Sequence, residues 1–167
     1  MSRTKGGGRM PADDVDAVTD AVLTASRLLV AVSARSVAAV DESLTLPQFR
    51  LLVALSGRGS LKLATVAELL GVNPSTVTRM VDRLVAAELV DRQTNPSSRR
   101  ENVVSLTSAG VEVVRGITEK RRTEIAKIVG RMPASARTGL VDALSAFAEA
   151  GGEPPVRSSP YDAPDWR

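Results

Sequence analysis

The stretch VAELLGVNPSTVTRMVDRL, residues 66–84, restricts the fold more than any other part of the chain. Val66, Ala67, Leu69 and Leu70 recur at helical spacing and stop at Gly71, a residue suited to the left-handed turn that closes a helix. Asn73 and Pro74 then supply a capping side chain and a first-turn proline, a pair that starts a new helix. Helix, tight turn and second helix are therefore expected in order, the first over 64–70. In the second, Val77, Val81 and Leu84 share one face, with Met80 at its edge, while Ser75, Thr76, Arg79 and Arg83 fall on the opposite arc. Polar arcs of this kind are ordinarily solvated, so the arc acquires meaning only from what surrounds it.

Two β-prone runs follow, Leu89 to Gln93 and Asn102 to Leu106, separated by TNPSSRR. That pattern predicts a hairpin whose tip carries Arg99 and Arg100. Upstream, Pro47 suits a first helical turn, and Phe49, Leu51, Leu52, Val53 and Leu55 follow before Gly57 and Gly59, predicting a helix over 47–56. A short extended stretch, SLKL, leads into the helix at 64. Helix, turn, helix and hairpin together predict a winged helix.

Long helices flank it. Residues 13 to 40 contain no glycine or proline, and Val15, Val18, Val22, Ala25, Leu29 and Val32 recur at alternating steps of three and four. With Leu23, Leu28 and Val30 also apolar, this helix has more apolar surface than one neighbour in a small domain would cover; a second subunit is the natural cover, an intramolecular bundle the alternative. Thr107 can cap a helix to about Arg131. Pro133 starts another, which places Leu140, Val141, Leu144 and Phe147 on one side. The expected organisation is a flexible basic arm at 1–12, a dimerisation helix at 13–46 and a winged helix-turn-helix at 47–106. Further dimerisation helices follow at 107–150, and a Pro-, Gly- and Ser-rich disordered tail at 151–167. The fold class is mainly α, a winged helix-turn-helix with a small β-hairpin wing between long terminal helices.

The chain has no histidine and no cysteine in 167 residues, which removes thiolate nucleophiles, Ser/His/Asp triads, disulfides and most zinc sites. No acid/base pair stands beside a nucleophile, so an enzyme is not expected, nor a cofactor or metal. Lysine and arginine number 22 against 19 acidic residues, a net charge of +3, with an isoelectric point near 9.8. With so small an excess, distribution decides. Arg79, Arg83, Arg92, Arg99 and Arg100 gather mid-chain, and Asp13, Asp14, Asp16 and Asp20 near the start. No unbroken apolar run reaches the roughly 18 residues of a spanning helix, predicting a soluble cytoplasmic protein without membrane contact.

The basic cluster points to a polyanion. Small hydroxyl residues allow a helix to approach base edges closely, and arginine can bond guanine through two donors. Arginine at a hairpin tip suits the minor groove, where phosphate potential is strong. The alternative is a winged-helix protein-interaction module without specific DNA binding, which uses its apolar helices on a partner.

Residues Pro47 to Gly110 resemble the winged-helix core of MarR-type bacterial transcriptional regulators, in LPQFRLLVAL, VAELLGVNPSTVTRMVDRLVAAELVDR and SRRENVVSLTSAG. The resemblance implies a homodimeric repressor on double-stranded, pseudo-palindromic operator DNA, released by a small phenolic or other aromatic ligand. It places Ser75, Thr76, Thr78 and Arg79 in the major groove and Arg100 in the minor groove. Arg83 and Arg99 are the candidates for phosphate contacts. Two positions depart from the family pattern. Ser98 stands where an aspartate usually holds the wing arginine, and Lys62 where a hydroxyl residue often caps the helix before the turn.

Overall fold

The computed structural model describes residues 12–95 and 98–153, and the side chains among them apart from those of 12–13 and 94–101. The expected basic arm, except Ala12, and the tail from 154 onward lie outside the described residues.

The central lobe forms as its local signals dictate. Helix α2 (Leu46–Arg58) starts from Thr45 through a reciprocal capping box. The Gln48 N–H donates to the Thr45 hydroxyl (3.4 Å), and the Thr45 N–H donates to Gln48 Oε1 (2.8 Å). The helix runs through Gly57 and ends at Gly59, whose φ of 74° is left-handed. It is longer than the expected 47–56 because Gly57 weakens a helix without breaking it. Helix α3 (Leu63–Leu70) closes on Gly71 at φ 64°, and α4 (Pro74–Ala86) begins at Pro74. Lys62 caps α3 with no side-chain hydrogen bond to it, as its chemistry requires.

Strands β2 (Val90–Asn95) and β3 (Ser98–Leu106) form the expected hairpin, Val90 opposite Leu106 and Arg92 opposite Val104. The SLKL stretch adds a third strand, β1 (Leu61–Lys62), antiparallel to β3, giving the order β1-β3-β2. Two residues are too few for alternating burial to register in a sequence, so the sheet was legible only as a hairpin.

Phe49, Leu51, Leu52, Leu55, Val66, Val77, Val81, Leu84, Val90 and Val104 make one core, joined by Val114 and Ile117 of helix α5 (Ser108–Gly130). The start of α5 is locked to the lobe. The Thr107 hydroxyl donates to the Glu88 carbonyl (2.6 Å) and accepts from the Gly110 N–H (3.0 Å), while the Thr107 N–H donates to the Leu89 carbonyl (3.2 Å). A Cβ on Gly110 would lie 2.1 Å from the Leu89 oxygen, so only glycine fits. Further along α5, the Arg121 guanidinium lies over the Phe49 ring, 5.9 Å from its centroid.

The outer helices are different. Helix α1 (Ala12–Ala38) buries Val32 and Val37 where it packs on α5 and α2, but Val15, Val18, Leu23, Leu28, Leu29 and Val30 are exposed. The expected single helix after Pro133 is two, α6 (Ala134–Arg137) and α7 (Leu140–Ala150), broken where Gly139 turns left-handed at φ 77°. Val141, Leu144 and Phe147 on α7 stand 74, 55 and 57 % exposed. By length and composition alone, Asp14–Ala38 is long and apolar enough to cross a membrane, because its scattered charges interrupt any unbroken apolar run yet leave the average apolar.

Candidate nucleic-acid interface

Helix α4 is split between two environments. Val77 and Val81 are fully buried and Leu84 nearly so, whereas Ser75, Thr78, Arg79 and Arg83 are exposed and Thr76 is half-buried. The apolar side fixes the helix against α3 and β2, so its polar arc is held at a set height above the lobe.

Asn73 organises the first turn. Its Oδ1 accepts from the Thr76 N–H (3.0 Å), the Thr76 hydroxyl (2.8 Å) and the Ser75 hydroxyl (2.8 Å). The Thr78 hydroxyl donates to the Pro74 carbonyl (3.0 Å). Each of the three hydroxyls thus spends its single proton inside the helix and presents oxygen lone pairs outward. A face of this kind accepts hydrogen bonds at its hydroxyls and donates them at Arg79 and Arg83, one turn apart on the helix.

The hairpin leaves the end of α4 through a tight corner at Ala87–Leu89, with Glu88 at φ 60°. Beyond the corner, Arg92 Nη2 donates to Asp82 Oδ1 at 2.8 Å, tying β2 back to α4. The backbones of Arg99 and Arg100 belong to β3 immediately after the turn, and their side chains lie outside the described ones. The structure therefore brings Ser75, Thr76, Thr78, Arg79 and Arg83 together on one helix and sets the strand bearing Arg99 and Arg100 in the wing beside it.

Asn73 and the Asp82–Arg92 pair were not among the expected site residues. Arg92 was visible as one of the clustered arginines, but a pairing ten residues apart across a turn has no sequence signature.

Behind α4 lies a cleft of about 230 Å³, lined by Asp41, Ser43, Thr45, Gln48, Arg83 and Leu89 among others. It sits where the connection from α1 meets the end of α4. Among the described residues, no cluster of acidic side chains could hold a metal ion.

The sequence model of the MarR family matches residues 44–102, which span α2 to β3. The HTH-type transcriptional repressor MdtR of Bacillus subtilis is 33 % identical over 112 residues, 58 % of this chain and 72 % of MdtR. The chain belongs to the MarR family. Among solved structures, RV1404 from Mycobacterium tuberculosis is 63 % identical, with a TM-score of 0.80 over 86 % of this chain and 97 % of that one. MarR of Escherichia coli complexed with operator DNA is 19 % identical, at a TM-score of 0.63 over 81 % of this chain and 96 % of that one, and shares the fold. The MarR-family assignment makes this chain a transcriptional regulator and not an enzyme, with the winged helix in the segment the family model matches.

Proposed function

We propose that this MarR-family protein is a cytoplasmic homodimeric repressor that binds a pseudo-palindromic operator in double-stranded DNA. The observation that carries the reading is α4, whose apolar side is buried while Ser75, Thr78, Arg79 and Arg83 stand exposed beside a wing. In this reading Ser75, Thr76, Thr78 and Arg79 face base edges in the major groove. Arg83 and Arg99 meet phosphates, and Arg100 enters the minor groove. E. coli MarR, solved on operator DNA, lends the reading support through its shared fold.

The domain roles follow. Residues 47–106 bind DNA, and 13–46 with 107–150 pair two copies, covering the apolar faces of α1 and α7. Two recognition helices related by a twofold axis explain a palindromic operator. A small aromatic ligand would act at the cleft behind α4. Arg83 lines that cleft, so an occupant favouring one placement of α4 would shift the protein from DNA by its differential affinity.

The test is fluorescence anisotropy against DNA from the protein's own upstream region and a scrambled duplex, at two salt concentrations. Arg79→Ala should cost about 1–3 kcal/mol on the specific duplex and relax sequence preference. Arg83→Ala should weaken both duplexes alike and lower the log–log salt slope by about 0.9. Equal loss on both duplexes for Arg79→Ala would remove its base-reading role. Folded protein that bound no duplex after random-site selection would leave the protein-interaction module.

A further inference from the structure

The Asp82–Arg92 ion pair is the one described salt bridge that joins two different elements of the lobe. The other two, Arg115 with Glu112 and Lys127 with Glu124, each lie within one helix three residues apart. Asp82 is 56 % exposed on α4, one residue before Arg83, and Arg92 is 29 % exposed on β2. Ion pairs this exposed contribute little to stability, so its consequence lies in geometry and charge.

We propose that Asp82 and Arg92 are positioning residues that set the wing against the recognition helix, so that both engage one duplex at once. This rests on the DNA-binding reading above and deepens it.

Three observations carry the proposal. First, α4 and β2 are joined by the three-residue corner 87–89, and the 2.8 Å bond at Arg92, three residues beyond its end, is a second tie at a distance from the first. A corner alone acts as a hinge, whereas a corner with an outlying tie fixes an angle. Second, Arg92 lies opposite Val104, which is fully buried on β3 and in register with Leu61 of β1. The arginine backbone is thus part of the rigid sheet, and its side chain transmits the sheet's position to α4. Third, Arg92 Nε is buried and makes no hydrogen bond among the described residues. The guanidinium is thus held in a half-buried site, with its Nη2 on Asp82.

The pair also settles an electrostatic conflict. A free carboxylate beside Arg83 would repel the phosphates that a bound helix must approach, and Arg92 neutralises it from within the protein. Losing the pair should therefore have two opposite effects. The wing loses its angle, while removing the Asp82 charge favours DNA of any sequence.

The experiment uses the full chain, a duplex obtained by random-site selection with the wild type, and a scrambled duplex. Anisotropy gives the affinities and hydroxyl-radical footprinting the minor-groove protection. Asp82→Asn should bind the scrambled duplex at least as tightly as wild type, yet lose about tenfold in the selected-to-scrambled ratio, together with the wing's minor-groove protection. Arg92→Gln should lose the same protection. The reversed pair, Asp82→Arg with Arg92→Asp, should restore it. Thermal unfolding of each variant, unchanged from wild type, separates positioning from loss of fold. Unaltered protection in either single variant, or none regained in the reversed pair, would overturn the proposal while leaving DNA binding intact. A wild type that protected no duplex would overturn the DNA reading and the proposal with it.

Discussion

The central lobe and the outer helices solve the same problem in different ways. In the lobe, Leu51, Leu52, Val66, Val77, Val81 and Val104 are shut away from water by one another, so the winged helix closes its own core. In the outer helices, Val15, Val18 and Leu29 of α1 and Val141, Leu144 and Phe147 of α7 have no such cover among the described residues. Burying a side chain of this size yields about 1.5–3 kcal/mol, so leaving six uncovered is a large forgone stabilisation. In the proposed dimer a second copy recovers it. On that reading the lobe specifies its own shape, whereas the arms specify an assembly.

Breaking the lobe should have the largest effect. Leu51→Ala leaves a void among Leu52, Leu55 and their neighbours and should cost about 2–5 kcal/mol in denaturant unfolding. Nearly equal stability to wild type would mean that the lobe collapses around the gap and is less closely packed than its burial indicates. Breaking the arms should act on assembly. Leu29→Asp or Leu144→Asp puts a charge into the apolar seam, and sedimentation should show monomers whose lobe retains its circular dichroism. Dimers unchanged in both variants would move the interface away from α1 and α7.

The same contrast explains what was legible in the sequence. Elements of the lobe carry local signals, and the Asn73–Pro74 start, the Gly71 stop and the Thr107 cap lie where expected, whereas α2 runs two residues further and β3 starts four residues earlier than their apolar runs indicate. The arms were legible as apolar periodicity, but the break at Gly139 was not, because an isolated glycine in a periodic pattern also fits a continuous helix. The third strand was too short to show. Within the candidate site, the polar arc of α4 could be read from 3.6-residue spacing alone. The tie from Asp82 to Arg92 could not, since it depends on the corner angle, which Glu88 sets with a left-handed φ that no sequence rule assigns to glutamate.

A smaller effect sharpens the view of the lobe as a set of local decisions. Asn73→Ala removes the acceptor shared by Thr76 N–H and the Ser75 and Thr76 hydroxyls, and should cost about 1 kcal/mol of thermal stability. It should also free both hydroxyl protons, so that base preference changes at the positions facing the start of α4. Altered stability with unaltered preference in a random-site selection would confine Asn73 to capping.

The smallest effect lies on the arm side, at Glu124 of α5. The hydrogen bond from Lys127, 2.8 Å long, and the charge of Lys127 hold the Glu124 carboxyl below its ordinary value, with weaker help from Arg35 on α1 and Arg131. A folded-state value lower than the unfolded one means that the unfolded chain binds the proton more readily. Its contribution to stability is therefore present above the ordinary carboxylate range and disappears as the pH falls through the lowered value. The group is exposed, so the contribution should be slight and screened by salt. Comparing Glu124→Gln with wild type between pH 7 and pH 3 tests this. The two unfolding curves should differ most at neutral pH and converge in acid, and added salt should narrow the gap at pH 7. A gap that widened in acid would reverse the sign and place the stabilising partner of Lys127 elsewhere. A gap independent of pH would mean that Glu124 matters to the α1–α5 contact through its packing and not its charge.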